Sequence, residues 1–241
     1  MKHLPMLLLL CCLGALPAAA SSGDFDPVEL VNPLMGSQSV HQFSAGNTYP
    51  AVATPWGMNF WTPQTGKMGD GWAYTYTDTR IRGFKQTHQP SPWINDYGQF
   101  ALMPVRGNDK LDEGSRASWY SHQAEVAKPY YYRVYLADHD IRAEIAPTER
   151  AAMMRFTFPE SDESGVVIDA FDRGSQIGML DARTIVGYTT RNSGGVPDNF
   201  RNYFVVRFDT PFTAVELTDA PGEYEPVSYT HLRAHETVLD L

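Results

Sequence analysis

Short apolar runs and alternating apolar and polar positions recur along most of this chain. In the segment 151–158, Met154 and Phe156 alternate with Arg155 and Thr157. An alternation of period two is typical of a strand with one buried face. No stretch keeps the helical apolar period over three turns, so the pattern predicts strands joined by turns. The predicted strands lie near residues 48–53, 57–62, 72–76, 99–105, 118–126, 130–136, 141–146, 151–158, 165–171, 184–190, 203–208 and 213–218.

Many short strands bounded by Gly, Pro, Asn and Asp predict an all-β fold, an antiparallel two-sheet β-sandwich. Composition agrees, because 43% of residues are hydrophobic, 12% are aromatic and only 20% are charged, with 19 Gly and 17 Pro. Tyr, Phe, Thr and Val favour strands. The apolar content is ample for a buried core, which excludes a disordered chain.

The chain is acidic, with a formal net charge of −9 at pH 7. The leader described next carries one positive charge, Lys2, so the remainder carries −10. A negative field of this size repels phosphate backbones and anionic lipid surfaces. We therefore expect no nucleic-acid partner.

The first twenty residues have the organisation of an export signal. Lys2 precedes an apolar stretch at 7–13, and small residues at 18–20 offer a cleavage site. The apolar stretch is too short to span a bilayer, so no membrane span is expected. Both cysteines of the chain lie in this leader, at 11 and 12, and a lipoprotein signal is an alternative although Leu10 replaces the usual small residue. We expect a signal peptide at 1–20, a flexible start at 21–27 and an exported protein, periplasmic, cell-surface or secreted.

The segment 72–97 is the strongest candidate for chemistry. Pro90 and Pro92 bracket a turn that should be rigid, because proline fixes the backbone. Indole faces stack on the apolar face of a pyranose ring while carboxylate and imidazole groups bind its hydroxyls. The alternative is that Trp93 and Tyr97 are core anchors and His88 is a satisfied histidine. The predicted substrate-binding residues are Trp72, His88, Trp93 and Asp96.

Other groups of residues are weaker candidates for a catalytic or metal site. The chain has no Gly-rich phosphate loop, no G-x-S-x-G and no H-E-x-x-H. The run 138–140 (Asp-His-Asp) is either a metal cluster or a hairpin turn, and its place between two predicted strands favours the turn. The run 192–197 is a ligand-facing loop or an ordinary turn. Three aspartates could share a calcium ion only if their loops converge: Asp169, Asp172 and Asp181.

A series of short motifs resembles the N-terminal domain of glycoside hydrolase family 92, exo-acting α-mannosidases exported mostly by bacteria. The similarity covers residues 28–216 in the right order. The loop after His88 departs from the common family form, which is rich in Ser and Gly where this chain has QPSPW, so no linkage preference is implied. The motifs are VNPLMG at 31–36, GNTYP at 46–50, TPWGM at 54–58, IRGF at 81–84, DYG at 96–98, MPV at 103–105, TER at 148–150, GGVP at 194–197 and NYF at 202–204.

The resemblance implies one part of a two-domain enzyme that hydrolyses α-mannosidic bonds of N-glycans or mannans. It implies an inverting, calcium-dependent mechanism, with the N-terminal sandwich packed on a C-terminal helical toroid domain. The acid, the base and the calcium ligands belong to that second domain. We therefore assign no catalytic residue and no metal ligand here, only part of the pocket wall. The alternative is a non-catalytic carbohydrate-binding or adhesion β-sandwich.

The expected domain spans 28–226 and is incomplete at its end. The segment 227–237 (VSYTHLRAHET) resembles a translated sequencing adapter, and 238–241 would then be index sequence. We expect 227–241 to be a non-native tail with few contacts to the sandwich. The alternative is a genuine helix from 227 onward.

Overall fold

The structure is a computed structural model, and it describes residues 26–38, 48–54, 57–66, 73–87, 100–170, 175–190, 196–216, 228–231 and 236–240. Contacts divide the chain into a segment at 1–30 and a body at 31–241. In the first segment, a single 3₁₀ turn covers Pro27–Leu30. The Asp26 carboxylate accepts the Val28 N–H at 3.0 Å, which caps this turn. In the described residues, no helix is long and apolar enough to cross a membrane.

The body is built from antiparallel strands, numbered β1 to β16 in chain order. The first large sheet has the spatial order β1 (Phe60–Gln64), β3 (Gly83–Thr87), β4 (Ala101–Arg106), β10 (Ser164–Asp169), β15 (Ser228–His231) and β14 (Ala214–Glu216). The second has the order β11 (Gln176–Asp181), β12 (Thr184–Thr189), β13 (Asn202–Phe208), β16 (Glu236–Asp240), β9 (Ala152–Thr157), β8 (Ile141–Pro147), β7 (Tyr131–Leu136) and β6 (Val126–Lys128). A small third sheet pairs β2 (Arg80–Ile81) with β5 (Ser118–Trp119).

The core lies between the inner faces of the two large sheets. The Phe84 ring on β3 lies 6.2 Å from the Tyr132 ring on β7 and 6.2 Å from the Phe156 ring on β9. All three side chains are fully buried. Because aromatic rings from both sheets interdigitate in one core cluster, the all-β, two-sheet sandwich is confirmed.

Most predicted strands are confirmed, with ends shifted by one or two residues. The exceptions lie in the first half of the body. The first predicted strand, 48–53, makes only an isolated bridge between Val52 and Trp61, and the second, 57–62, shifts to β1. Residues 73–75 are not a strand and lead into a turn at 76–77. The predicted strand 118–126 is interrupted because the Ala124 N–H bonds to the Ser121 carbonyl at 2.9 Å, which turns the chain.

The prediction that 227–241 makes few contacts with the sandwich is wrong. β15 pairs with β10 and β14, and β16 pairs with β9 and β13. The physical reason is backbone hydrogen bonding, because β10 and β9 would otherwise present a row of unpaired N–H and C=O groups. Thr230 and Val238 are also residues of high strand propensity. The non-native origin of 227–241 stays a prediction.

Candidate functional site

A pocket of about 410 Å³ lies where β3 ends and β4 begins. The Gln86 N–H donates to the Phe100 carbonyl at 2.9 Å, which holds the two ends of the connection together. We call this cavity the hairpin-base pocket, because it lies at the ends of the paired strands β3 and β4. Its lining residues are Met58, Asn59, Trp61, Gln86, Phe100, Arg150, Ala151, Asn202, Tyr203, Phe204 and Val205.

The floor of the hairpin-base pocket is aromatic and comes from both sheets. The Phe100 ring stacks on the Phe204 ring with centroids 4.3 Å apart, and meets the Trp61 ring edge-on at 5.6 Å. Trp61, Phe100 and Phe204 are each buried. Tyr203, next to this floor, is 73% exposed and supplies an accessible aromatic surface on the rim, with its ring 5.6 Å from the Tyr188 ring. Such a floor is rigid, because its rings are locked by packing.

Amide groups supply the polar part of the pocket. The Trp61 Nε1–H donates to Asn59 Oδ1 at 3.0 Å, which orients the buried Asn59 amide. Gln86 Nε2 donates to the Thr87 carbonyl at 3.0 Å. Gln86 Oε1 is buried and has no hydrogen-bond partner within the described part of the chain. An unpaired buried acceptor costs about 1–3 kcal/mol, so this oxygen favours a ligand that brings a donor such as a hydroxyl.

Aromatic surface next to amide donors and acceptors suits a neutral, hydroxyl-rich ligand. Arg150 is the only charged residue among the lining residues that the structure describes. These side chains can therefore hold and orient a ligand, and they supply no carboxylate pair for acid and base chemistry.

All four predicted substrate-binding residues, Trp72, His88, Trp93 and Asp96, lie outside the described residues. Their described neighbours are placed at two different points. Thr87 pairs with Phe60 at one end of β1. Phe100, which lines the hairpin-base pocket, lies at the same end, where its carbonyl accepts the Gln86 N–H. Ala73 instead accepts the Thr65 N–H at 2.8 Å, at the other end of β1. The backbone next to position 72 and the backbone next to position 88 are thus separated by the length of this strand.

Sequence reasoning did not single out Asn59, Gln86 or Tyr203. A usable signal existed for Gln86, because it shares a face of β3 with the buried Phe84, where an apolar residue is the usual choice. Tyr203 has a similar signal, since it occupies an outward position of β13 next to the inward Phe204.

The run 138–140 forms the turn between β7 and β8, as predicted. Asp138 accepts the Trp119 N–H at 2.9 Å and bonds to Arg80 Nη1 at 2.8 Å. The hydrogen bond from the Trp119 N–H lowers the pKa of Asp138 below its usual range, and the charge of Arg80 contributes less to the same shift. His139 is buried rather than solvated. Burial lowers its pKa, and its Nε2 and Nδ1 bond to the Arg116 carbonyl at 2.8 Å and the Arg106 N–H at 3.3 Å.

The two candidate calcium aspartates that the structure describes, Asp169 and Asp181, bond to other protein groups. Asp169 Oδ2 lies 2.5 Å from Arg116 Nη2, and both side chains are buried. Asp181 closes the β11–β12 turn by accepting the Arg183 N–H at 2.7 Å, which lowers its pKa. Asp172 and the run 191–195 lie outside the described residues. Within the described ranges, no group of three or more His, Cys, Asp or Glu residues could hold a metal ion.

Comparison with known proteins gives one consistent result. Residues 30–235 match the glycosyl hydrolase family 92 N-terminal domain. The chain is 46% identical to an inverting mannosidase of family GH92 from Bacteroides thetaiotaomicron, with a TM-score of 0.74 over 89% of this chain and 29% of that one. It is 27% identical to an α-mannosidase of family GH92 from the same organism, with a TM-score of 0.74 over 90% of this chain and 33% of that one.

A curated relative agrees. It is a protein of Arthroderma benhamiae described as an uncharacterized secreted glycosidase, 27% identical over 165 residues, which are 66% of this chain and 20% of the relative. The chain thus spans a third or less of the length of these relatives.

Proposed function

The chain belongs to glycosyl hydrolase family 92, whose N-terminal domain it carries, and we propose that it is the N-terminal part of an exported α-mannosidase. The observation that carries this proposal is the 46% identity, across 89% of the chain, to an inverting mannosidase. Export is supported by the leader at 1–20 and by the secreted relative.

In this proposal, the domain supplies one wall of a substrate pocket whose other wall is a C-terminal helical domain. The hairpin-base pocket supports that role, since its aromatic floor and amide groups suit a sugar ring. Trp72, His88, Trp93 and Asp96 are proposed to extend this wall. Asn59 and Gln86 hold hydroxyl groups, and Tyr203 covers an apolar ring face.

The chemistry is proposed to be inverting hydrolysis, as in the inverting mannosidase from Bacteroides thetaiotaomicron. A carboxylic acid would protonate the leaving oxygen while a carboxylate activates a water molecule on the opposite face. Calcium would help to hold and distort the sugar ring. No described residue is assigned to the acid, the base or the metal.

The first test is one long sequencing read across the locus, followed by assay of the complete protein. We expect release of mannose from α-mannobiose that is abolished by a chelator and restored by calcium. Proton NMR during turnover should show β-mannose first, because inversion converts the α linkage into the β anomer. An α anomer appearing first would refute inversion. A reading frame that ends without an acidic second domain would favour the non-catalytic carbohydrate-binding sandwich.

The second test concerns the proposed wall. In the complete protein, Trp93→Ala and His88→Ala should each reduce kcat/KM by the equivalent of about 1–3 kcal/mol, through loss of a stacking face or a hydrogen bond. The melting temperature should change little. Tyr135→Ala is the control, because Tyr135 is an exposed aromatic residue of β7 that does not line the pocket. Mutants that unfold readily but retain full specific activity when folded would show that Trp93 and His88 are structural.

The third test uses the 241-residue chain alone. We expect it to release no mannose with or without calcium, because the proposed acid, base and metal site all belong to the second domain. Calcium-dependent mannosidase activity of this chain would contradict the two-domain proposal.

A further inference from the structure

A second pocket, of about 440 Å³, lies between the turn at 76–79 and the segment 119–123. We call it the Trp119 pocket and define it by Gln38, Tyr76, Asp78, Trp119, His122 and Gln123. It shares no residue with the hairpin-base pocket. Nothing in the proposed hydrolysis uses it.

Trp119 is a fixed and exposed platform. Trp119 is 46% exposed, whereas Trp61 in the core is 2% exposed. The Trp119 N–H donates to Asp138 Oδ2 at 2.9 Å, and its carbonyl accepts the Ala137 N–H at 2.9 Å. Both backbone groups of this residue are therefore held by the β7–β8 turn. An indole presented on a rigid backbone loses little conformational entropy when a ligand stacks on it.

The adjoining wall is equally rigid. The His122 ring stacks on the Tyr76 ring at 3.9 Å, with an angle of 7° between the planes. His122 Nδ1 lies 2.5 Å from Glu125 Oε2, and Nε2 lies 2.6 Å from the Tyr76 carbonyl. Both ring nitrogens are thus within hydrogen-bond distance of a polar partner, which fixes the orientation of the imidazole. Glu125 is buried beneath and also accepts the Tyr132 hydroxyl at 2.6 Å.

The side chains of Asp78 and Gln123 are available to a ligand at the Trp119 pocket. Within the part of the chain that the structure describes, the side chains of Asp78 and Gln123 make no hydrogen bond and no ion pair. They offer one carboxylate and one amide beside the indole, which is the complement that vicinal hydroxyls require.

We propose that the Trp119 pocket is a second saccharide-binding site, which stacks one pyranose ring on the indole and binds its hydroxyls through Asp78 and Gln123. An aromatic surface and a carboxylate could also suit an organic cation. Here the cation is disfavoured, because the His122 ring covers the Tyr76 face, and the Trp119 indole is the one exposed ring among the described lining residues. The saccharide class rests on this geometry. The choice of α-mannan as first probe rests on the proposed function.

The test is electrophoresis of the 241-residue chain in native gels that contain α-mannan, β-glucan or galactan. We expect at least one polysaccharide to retard the chain, and Trp119→Ala to weaken the retardation at least threefold. Trp119→Phe should retain part of it, because a smaller ring still stacks. Asp78→Ala and Gln123→Ala remove side chains that have no partner among the described residues, and they provide further variants that should fold and bind less polysaccharide.

Two matched controls locate the effect. Tyr135→Ala removes another exposed aromatic residue and should leave the retardation unchanged. Tyr203→Ala removes the exposed ring of the hairpin-base pocket. Loss of retardation in Tyr203→Ala with no change in Trp119→Ala would overturn the proposal.

Absence of retardation in all three gels would overturn it as well. A change in tryptophan fluorescence that tetramethylammonium causes, that no saccharide causes and that is lost in Trp119→Phe would also overturn it. Failure of the proposed function is distinguishable, since it is measured as mannose release by the complete protein. A complete protein that cleaves no α-mannoside, with retardation that still depends on Trp119, would reject the mannosidase and support this site.

Discussion

Replacement of Asp169 by Asn should destabilise the chain by about 3 kcal/mol. Asp169 Oδ2 lies 2.5 Å from Arg116 Nη2, and the Arg116 side chain is 1% exposed. Breaking a buried ion pair costs about 3–5 kcal/mol, because the remaining charge stays desolvated and unpaired. Glu113 Oε1 lies 3.9 Å from the same guanidinium nitrogen and still compensates part of the Arg116 charge in the variant. The expected loss of unfolding free energy is therefore at the lower end of this range.

The measurement is urea unfolding followed by tryptophan fluorescence, with the slope m required to stay constant. Asp109→Asn is the matched control, because Asp109 pairs with Lys110 in solvent at 3.0 Å and its loss should leave the midpoint unchanged. Arg116→Met should be costly, and the double variant with Asp169→Asn should cost less than the two single changes combined. If Asp169→Asn shifts the free energy of unfolding by less than about 1 kcal/mol, the pair is not the buried charge compensation that its geometry indicates.

Three further predictions test the packing, a histidine and a tyrosine. Gly187→Ala should cost about 1–3 kcal/mol, because a Cβ there would lie 2.4 Å from Phe204 Cζ, whereas Gly178→Ala has no atom within 4 Å and serves as control in the same urea assay. Burial lowers the pKa of His139, so the unfolded chain binds its proton first as pH falls. Stability from this group should be complete above about pH 6.5 and decline below it, and His139→Gln should flatten that slope between pH 7.5 and 5.5; a wild-type midpoint constant over this range would contradict it. Tyr132→Phe should cost about 1.5–3 kcal/mol of unfolding free energy, because its hydroxyl donates to the buried Glu125 carboxylate at 2.6 Å; an unchanged urea midpoint would show that this bond contributes nothing.

The strands that sequence predicts well are those whose burial is one-sided or complete. β7 to β9 alternate because one face of the second sheet meets the core, and β10 is a continuous apolar run because it is buried on both faces. The sequence pattern does not predict β3, because Lys85 and Thr87 are buried polar residues. It does not predict β11 either, because this strand lies at a sheet edge and is mostly exposed.

The candidate sites are harder to predict, because their contacts are distant in sequence. Arg116 and Asp169 are 53 positions apart, and no local period signals their pairing. Asp169 alone is equally consistent with a calcium ligand until its partner is known. The same holds for Trp119, whose role as a platform depends on Asp138 in a turn of another sheet. Family resemblance implied the fold and an α-mannoside substrate, and it carried no information about these pairings.

The two candidate binding surfaces depend on different parts of the fold. The floor of the hairpin-base pocket joins Phe100, which precedes β4, to Phe204 on β13, so it exists only while the two large sheets keep their spacing. The Trp119 pocket is held by the small β2–β5 sheet and by the β7–β8 turn. A change that displaces Phe204, such as Gly187→Ala, should therefore distort the first surface and leave the second intact. Binding at the two surfaces can in this way be separated without touching a residue of the Trp119 pocket.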